Sequence, residues 1–381
     1  MTDKSFIRAL SDAIASNMYN SYVDNVDPYH RLKPAGLEST LRSLRRKAKD
    51  TLLHSARRAG FARVTPQDSE SIRRSMSEVF CRADSLAELY ESLGDEESRS
   101  MLIAVLAFRI LGSRKVKLPL NQPGYWAAAR HVEQDLRLER GTFAVDILDG
   151  LLNLYDLSSE GFPLRVHAHH LNIRDTFILQ QYRYSKGGAS IEAKSGDVVI
   201  DGGGCWGDTA LYFSHLVRPK GAVFCFEFVP DNLSILRANL DMNPNLKSRV
   251  SLVEKALWDQ SEESLRYDYA GPGTSVVAAV QRGTCTAKTL SIDDLVARNG
   301  LDRVDFIKLD VEGAELRTLM GARHTLNRFR PMLAVALYHS LDDFVAIPAF
   351  LRDLDVAYEF YLDHFTIHQL ETVLFARPRT R

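Results

Sequence analysis

Two periods of apolar residues divide the chain. Up to about residue 112, apolar positions recur at three- and four-residue steps, the period of amphipathic helices. This predicts helices over 5–20, over 37–58 on the stripe Leu37, Leu41, Leu44, Ala48 and Leu52, over 71–93 and over 97–111. Gly60 closes the second of these, as glycine commonly does. Val116 to Gly124 breaks the pattern into a loop. From residue 191 onward, short β-branched and apolar runs alternate with helical stretches, which is the signature of a doubly wound sheet. Strands are predicted at 198–200, 223–227, 250–253, 304–309 and 332–337, with helices at 231–241, 292–299 and 342–354. Residues 263–289 read as an antiparallel excursion around Gly271-Pro-Gly273. A close strand pair at 358–362 and 371–375 ends the chain and implies an antiparallel edge.

The most informative stretch is 197–209, Asp-Val-Val-Ile-Asp-Gly-Gly-Gly-Cys-Trp-Gly-Asp-Thr. A buried strand leads into a glycine-rich turn and then a helix carrying Ala210, Leu211, Phe213, Leu216 and Val217. Glycines let the backbone approach a ligand closely, and a helix start presents free N–H groups. Gly202-x-Gly204-x-x-Gly207 satisfies the dinucleotide fingerprint. Asp201 at the strand tip instead suits the amino group of S-adenosylmethionine. Glu227, roughly 26 residues on at the next strand end, suits the ribose hydroxyls of either cofactor. The glycines alone leave both open. The antiparallel finish is usual for a methyltransferase sheet and unusual for a dehydrogenase.

Residues of about 190–377 resemble the FkbM family of S-adenosylmethionine-dependent O-methyltransferases. The resemblance rests on Asp305-Phe-Ile-Lys-Leu-Asp-Val-Glu-Gly-Ala-Glu315, on the glycine loop from Val199 to Thr209, and on Glu371-Thr-Val-Leu-Phe375. Leu118-Pro-Leu-Asn121 is reminiscent of long family members. The resemblance implies a Rossmann-like class I methyltransferase domain: a seven-stranded, doubly wound sheet with an antiparallel final strand. A mainly helical domain over 1–165 precedes it, and the methyltransferase domain covers 166–381. It also implies methylation of a hydroxyl on a sugar or a natural product. The expected cofactor-binding set is Asp201, Gly202, Gly203, Gly207, Asp208, Thr209, Glu227, Phe228, Asn232 and Ala256.

Methyl transfer to oxygen is an in-line displacement, and a neutral hydroxyl is a poor nucleophile without a base at hydrogen-bond distance. Asp310 sits at the carboxyl end of a predicted strand, where open α/β sheets bind ligands. Glu312 follows two positions later, and His339 ends the neighbouring strand as the candidate base. The bland alternative for the acids is a helix cap and dipole complement. His364 and His368 are weaker candidates. Carboxylates gathered with histidines also suit a divalent cation, but no ligand spacing here is diagnostic, and metal is left out of the expected site. Of His167, His169 and His170, the first two share a strand face and the third points away, with no matching acid or thiol nearby in sequence.

Composition adds boundaries. The chain has 381 residues, 45% hydrophobic and 25% charged, with a formal net charge of −1 that gives no argument for nucleic acid. Its four cysteines have no metal-type spacing and suit a reducing compartment. No signal-type segment opens the chain and its longest apolar run, Met101 to Phe108, is too short to span a bilayer, so a cytoplasmic protein is expected. The helix over 37–58 carries Arg42, Arg45, Arg46, Lys47, Lys49, Arg57 and Arg58 on its other face. Such a face suits a solvated surface, or peripheral contact with a membrane or lipid-linked glycan. Tyr125-Trp126 reads as a core corner or, less readily, as the floor of a sugar site. The rival functions are a nicotinamide dehydrogenase and a non-catalytic scaffold with a vestigial pocket.

Overall fold

The computed structural model describes residues 4–22, 25, 66–145, 150–268, 273–275 and 283–379. The basic stretch 37–58 lies outside the described residues. Contacts divide the chain into two compact units, 1–130 with 362–372, and 131–361 with 373–381.

In the first unit the helix Lys4–Asn17 buries Phe6, Leu10 and Ile14 at four-residue steps. The single helix expected over 71–93 is two, Pro66–Phe80 and Ala83–Ser92, interrupted at Cys81-Arg82. Glu96–Leu111 starts where the Asp95 side chain accepts the Ser98 N–H and stops at Gly112, whose φ of 77° only glycine adopts freely. Tyr125 and Trp126 are both buried, edge to face at 5.3 Å, and the Trp126 indole donates to Asn121 at 2.9 Å. They form a core corner.

The division at 130/131 departs from the expected boundary at 165/166. Between them lie β1 (Arg137–Ala144), β2 (Leu151–Asp156) and β3 (Arg165–Ala168), a small antiparallel sheet that belongs to the second unit. Its free edge is satisfied by the helix Pro230–Met242 and the residue after it. His167 N donates to the Asn239 amide oxygen at 2.7 Å, Asn239 Nδ2 donates back to His167 O at 2.9 Å, and Arg165 N donates to Asn243 at 3.1 Å. The polar, largely exposed β1 gives no apolar alternation to read. The acid that sequence spacing did not bring to the histidines comes from afar: Glu133 lies 3.1 Å from His170 Nδ1.

The second unit continues with the hairpin β4 (Tyr184–Lys186) and β5 (Ala189–Ile191), then β6 (Val198–Gly202), β7 (Ala222–Phe226) and β8 (Val250–Val253). β9 (Ala256–Leu257), β10 (Ser264–Tyr267) and β11 (Cys285–Leu290) form the excursion, and β10 and β11 pair antiparallel as expected. β12 (Phe306–Leu309), β13 (Met332–Ala336), β14 (Tyr358–His364) and β15 (Thr372–Pro378) complete the chain. The main sheet has seven strands in the order β14-β15-β13-β12-β6-β7-β8. β15 runs antiparallel to β13, whereas β6 lies parallel to both β7 and β12. The chain builds outward from β6 to β8 and then returns to the other side of β6. Strand order therefore reverses between β6 and β12, where such sheets bind ligands at their carboxyl ends. Register sets Lys308 beside Asp201 and Leu309 beside Gly202. No helix among the described residues is long and apolar enough to cross a membrane.

His364 falls in the first unit, buried, with Nδ1 2.8 Å from the Thr372 hydroxyl. Burial lowers its pKa from 6.5 to about 3. Between those values the unfolded chain holds a proton that the folded protein refuses, so stability present above pH 6.5 is lost as pH falls toward 3. The loss approaches about 1.4 kcal/mol per pH unit for this one ring. His364→Gln should therefore flatten the fall in melting temperature between pH of about 7 and about 5. Thermal scans at a series of pH values measure it, and an unchanged slope would show that the ring does not govern acid stability.

Candidate active site

The turn after β6 is shaped by close approach. Gly203 has φ +87°, and a Cβ there would lie 1.9 Å from the Asp310 carbonyl oxygen. Gly203 N and Gly204 N both donate to Phe226 O, at 3.2 and 2.8 Å. Gly207, also at φ +87°, opens the helix Asp208–Val217 with no side-chain cap. The loop is thus pinned between the ends of β7 and β12.

Beneath it lies a buried ion pair. Lys308 and Asp201 are 1% and 0% exposed, with Nζ 3.2 Å from Asp201 Oδ1. Lys308 also donates to Gly202 O at 2.9 Å and Gly203 O at 2.6 Å. Burial works against its charge, but Asp201 and Asp310 hold its pKa above the ordinary lysine value. The other oxygen of Asp201 accepts the Thr209 hydroxyl at 2.8 Å. Asp201 therefore faces inward, against the expectation that it reaches a ligand's amino group, because the register of β12 brings Lys308 alongside it. Asp208 also turns inward and accepts the Thr176 hydroxyl at 2.8 Å, its pKa raised by burial.

At the end of β7, Glu227 Oε1 accepts the N–H groups of Phe228 and Val229 at 2.7 and 2.8 Å. Asn232 Nδ2 reaches Oε2 at 3.3 Å. These donors aim the carboxylate while burial raises its pKa. Phe228 packs on an apolar cluster of Val229, Ala256, Tyr267, Ala287 and Ala314. Glu227, Phe228, Asn232 and Ala256 therefore gather on one side of the glycine loop's strand.

On the other side stands a knot of acids. Asp310 N donates to Gly202 O at 3.1 Å, so it touches the glycine loop directly. Its carboxylate accepts the hydroxyls of Tyr338 at 2.8 Å and Tyr182 at 3.0 Å. His339 Nε2 lies 3.2 Å from Glu312 Oε2 and 3.5 Å from Asp310 Oδ1, and its Nδ1 lies 3.2 Å from Glu315 Oε1. Glu315 is fully buried, and its Oε1 accepts Val311 N at 2.8 Å. Burial would lower the His339 pKa, but Glu312, Glu315 and Asp310 together push it up to about 11. Burial raises Glu312. Asp343, beyond His339, is pushed up to about 7 by burial and then by Glu315. Asp310, Glu312 and His339, expected together, are together, and their donor atoms all lie within 4.8 Å of one another. His364 belongs to the other unit. Lys308, Tyr182, Tyr338 and Glu315 complete the centre without having been assigned roles from sequence. Lys308 left a signal as a charge inside the apolar run Phe306-Ile-Lys-Leu309, and both it and Glu315 stand in the block that carries the family resemblance.

Residues 188–359 match the family model described as the methyltransferase FkbM domain. This segment, a little under half of the chain, is similar to an FkbM methyltransferase domain. It is 28% identical over 159 residues to the 2-O-methyltransferase NoeI of Sinorhizobium fredii, a match covering 37% of the chain and 63% of that protein. It is 34% identical over 137 residues to the hexuronic acid methyltransferase AglP of Haloferax volcanii, covering 35% and 54%. The chain thus spans less than two thirds of each of these relatives. In fold it resembles the solved methyltransferase FkbM from Methylobacillus flagellatus KT, with a TM-score of 0.50 and 19% identity over 79% of this chain and 60% of that one.

The ion pair under the glycine loop makes a stability prediction. Lys308→Met leaves Asp201 buried without its cation, a loss of about 3–5 kcal/mol. The double variant Lys308→Met/Asp201→Asn should recover part of that loss, because the stranded charge is gone. Urea unfolding of the two single variants and the double variant gives the coupling. Additive losses would mean that the pair does not act as one.

Proposed function

We propose that the protein transfers a methyl group from S-adenosylmethionine to a hydroxyl, most readily a sugar hydroxyl in a glycan or glycoconjugate. The observation that carries this reading is the contact of Asp310 with Gly202 and Gly203, which sets the acid knot against the glycine loop at the reversal of strand order. The match to the FkbM domain model, the 2-O-methyltransferase name of one relative and the hexuronic acid named for another support it. An acceptor on a polyketide or other natural product is the second reading of the same geometry.

The donor set suits the cofactor. Glu227, held by two backbone N–H groups, is placed for ribose hydroxyls. Phe228 and Ala256 offer an apolar bed beside it for the adenine ring. Asp201 and Thr209 act from behind, through Lys308 and the loop backbone. When bound, S-adenosylmethionine supplies an electrophilic methyl: the acceptor's C–O bond forms as the C–S bond breaks, and the electron pair stays on sulfur. The acceptor's proton passes to a carboxylate of Asp310 or Glu312 and on to water. His339 has a carboxylate at each ring nitrogen and serves to position these acids rather than to receive the proton itself.

Purified protein should transfer labelled methyl from S-adenosylmethionine to glycan extracts or nucleotide sugars. It should bind S-adenosylhomocysteine and not NAD; binding of NAD alone would sink the proposal in favour of a dehydrogenase. Asp310→Asn should cut turnover by about 10²–10⁴ with cofactor affinity nearly unchanged. If it only lowers the melting temperature, the acid is a helix cap. Gly203→Ala, with no room for its methyl, should abolish cofactor binding. Cofactor binding with no transfer to any hydroxylated acceptor would favour a scaffold.

A further inference from the structure

Asp310, Glu312 and His339 present two carboxylate oxygens and one imidazole nitrogen to a common point. The nitrogen lies 3.5 and 3.2 Å from the two oxygens, Asp310 Oδ1 and Glu312 Oε2. Donors bound at right angles to one small divalent ion, about 2.1 Å from it, stand about 3 Å apart. The two distances to the nitrogen are close to that spacing, and all three donor atoms lie within 4.8 Å of one another.

The surroundings are those of a supported ligand set. A metal-bound histidine commonly gives its other ring N–H to a carboxylate, which fixes the tautomer and the ring plane. Here Glu315 stands on that side of the ring, its Oε1 3.2 Å from Nδ1, fully buried and itself held by Val311 N. Asp310 is steadied by the Tyr182 and Tyr338 hydroxyls, one on each oxygen, and each oxygen keeps a lone pair. A second observation is independent of this spacing. Both nitrogens of His339 and Oε2 of Glu315 are buried, yet none has a partner at hydrogen-bonding geometry. Buried polar atoms are seldom left so, and a cation at Nε2 gives the ring the partner it lacks.

We propose that Asp310, Glu312 and His339 bind one divalent cation of the magnesium or manganese class, whose remaining positions take water and the acceptor's hydroxyl. Carboxylate oxygens favour these hard ions over softer ones, and a single imidazole is compatible with manganese. Three protein donors leave open positions, and a hydroxyl bound there is polarised and held for in-line attack. The acceptor's part in this rests on the proposed methyl transfer, whereas the cation site does not.

Manganese alone is the probe. The full chain, stripped with chelator, is titrated with manganese(II), and free ion is read by electron paramagnetic resonance alongside the melting temperature. One saturable ion per chain is expected. Affinity should fall at least about tenfold in Glu312→Gln and in His339→Asn, and stay unchanged in Glu262→Gln, an exposed acid elsewhere. A folded Glu312→Gln, judged by its melting temperature, that binds manganese as the parent does would overturn the site, as would no saturable binding to the parent. Methyl transfer that stops on chelation and returns with manganese or magnesium supports the role toward the acceptor; transfer indifferent to chelation overturns that role. Saturable binding with no transfer to any acceptor upholds the site and rejects the reaction assigned to it.

Discussion

The buried pair of Lys308 and Asp201 is the constraint on which the rest of the second unit depends. Two full charges sit side by side on adjacent strands with 1% and 0% exposure. Such a pair is tolerated where further hydrogen bonds offset part of the cost of burying it. Lys308 donates to two loop carbonyls, and Asp201 accepts from Thr209 at the start of the next helix. One ion pair thereby clamps the end of β6, the glycine turn and the first turn of the helix into a single arrangement. Register sets the two residues side by side where strand order reverses between β6 and β12.

The acid knot extends the same logic outward. Lys308 Nζ lies 5.2 Å from the centre of the Tyr182 ring, and the hydroxyl of that ring is bonded to Asp310. A continuous path of contacts therefore joins the floor of the glycine loop to the carboxylate at the next strand end. Around Asp310 three further charged groups crowd into a space where none can be fully hydrated. Glu312 takes a positive φ of 55° to enter it, and the Ser275 hydroxyl donates to its carbonyl at 2.6 Å. Backbone strain of this kind persists where the surroundings over-determine it, and it concentrates at functional sites. The geometry gathers these charges around the ring of His339.

The first unit and the small sheet β1–β3 show how polar side chains settle what apolar periodicity leaves open. Asn239 and Asn243 complete the backbone pairing of β3, and Asn121 joins Asn25 to the Trp126 indole. Each is an amide placed where buried backbone or ring N–H groups would otherwise lack partners. Such residues assign a segment to one unit or another without marking it in the hydrophobic pattern.

Much of the α/β half was legible from sequence. The strands at 250–253 and 332–336, the helix at 292–299 and the antiparallel finish all follow from local period and turn chemistry, which are properties of neighbouring residues. The nearness of Asp310, Glu312 and His339 was legible too, since all three stand just beyond strand ends and strand ends of a doubly wound sheet converge. The orientation of each side chain was not. Asp201 at a strand tip promises a carboxylate for a ligand, and only the register of a strand roughly 100 residues later turns it toward Lys308. The tyrosines on Asp310, the glutamate behind His339 and the unit boundary at residue 130 likewise depend on contacts between distant segments. A sequence determines its elements through near neighbours. Which charge meets which counter-charge is decided when those elements pack, because burial makes an unpaired charge too costly to keep.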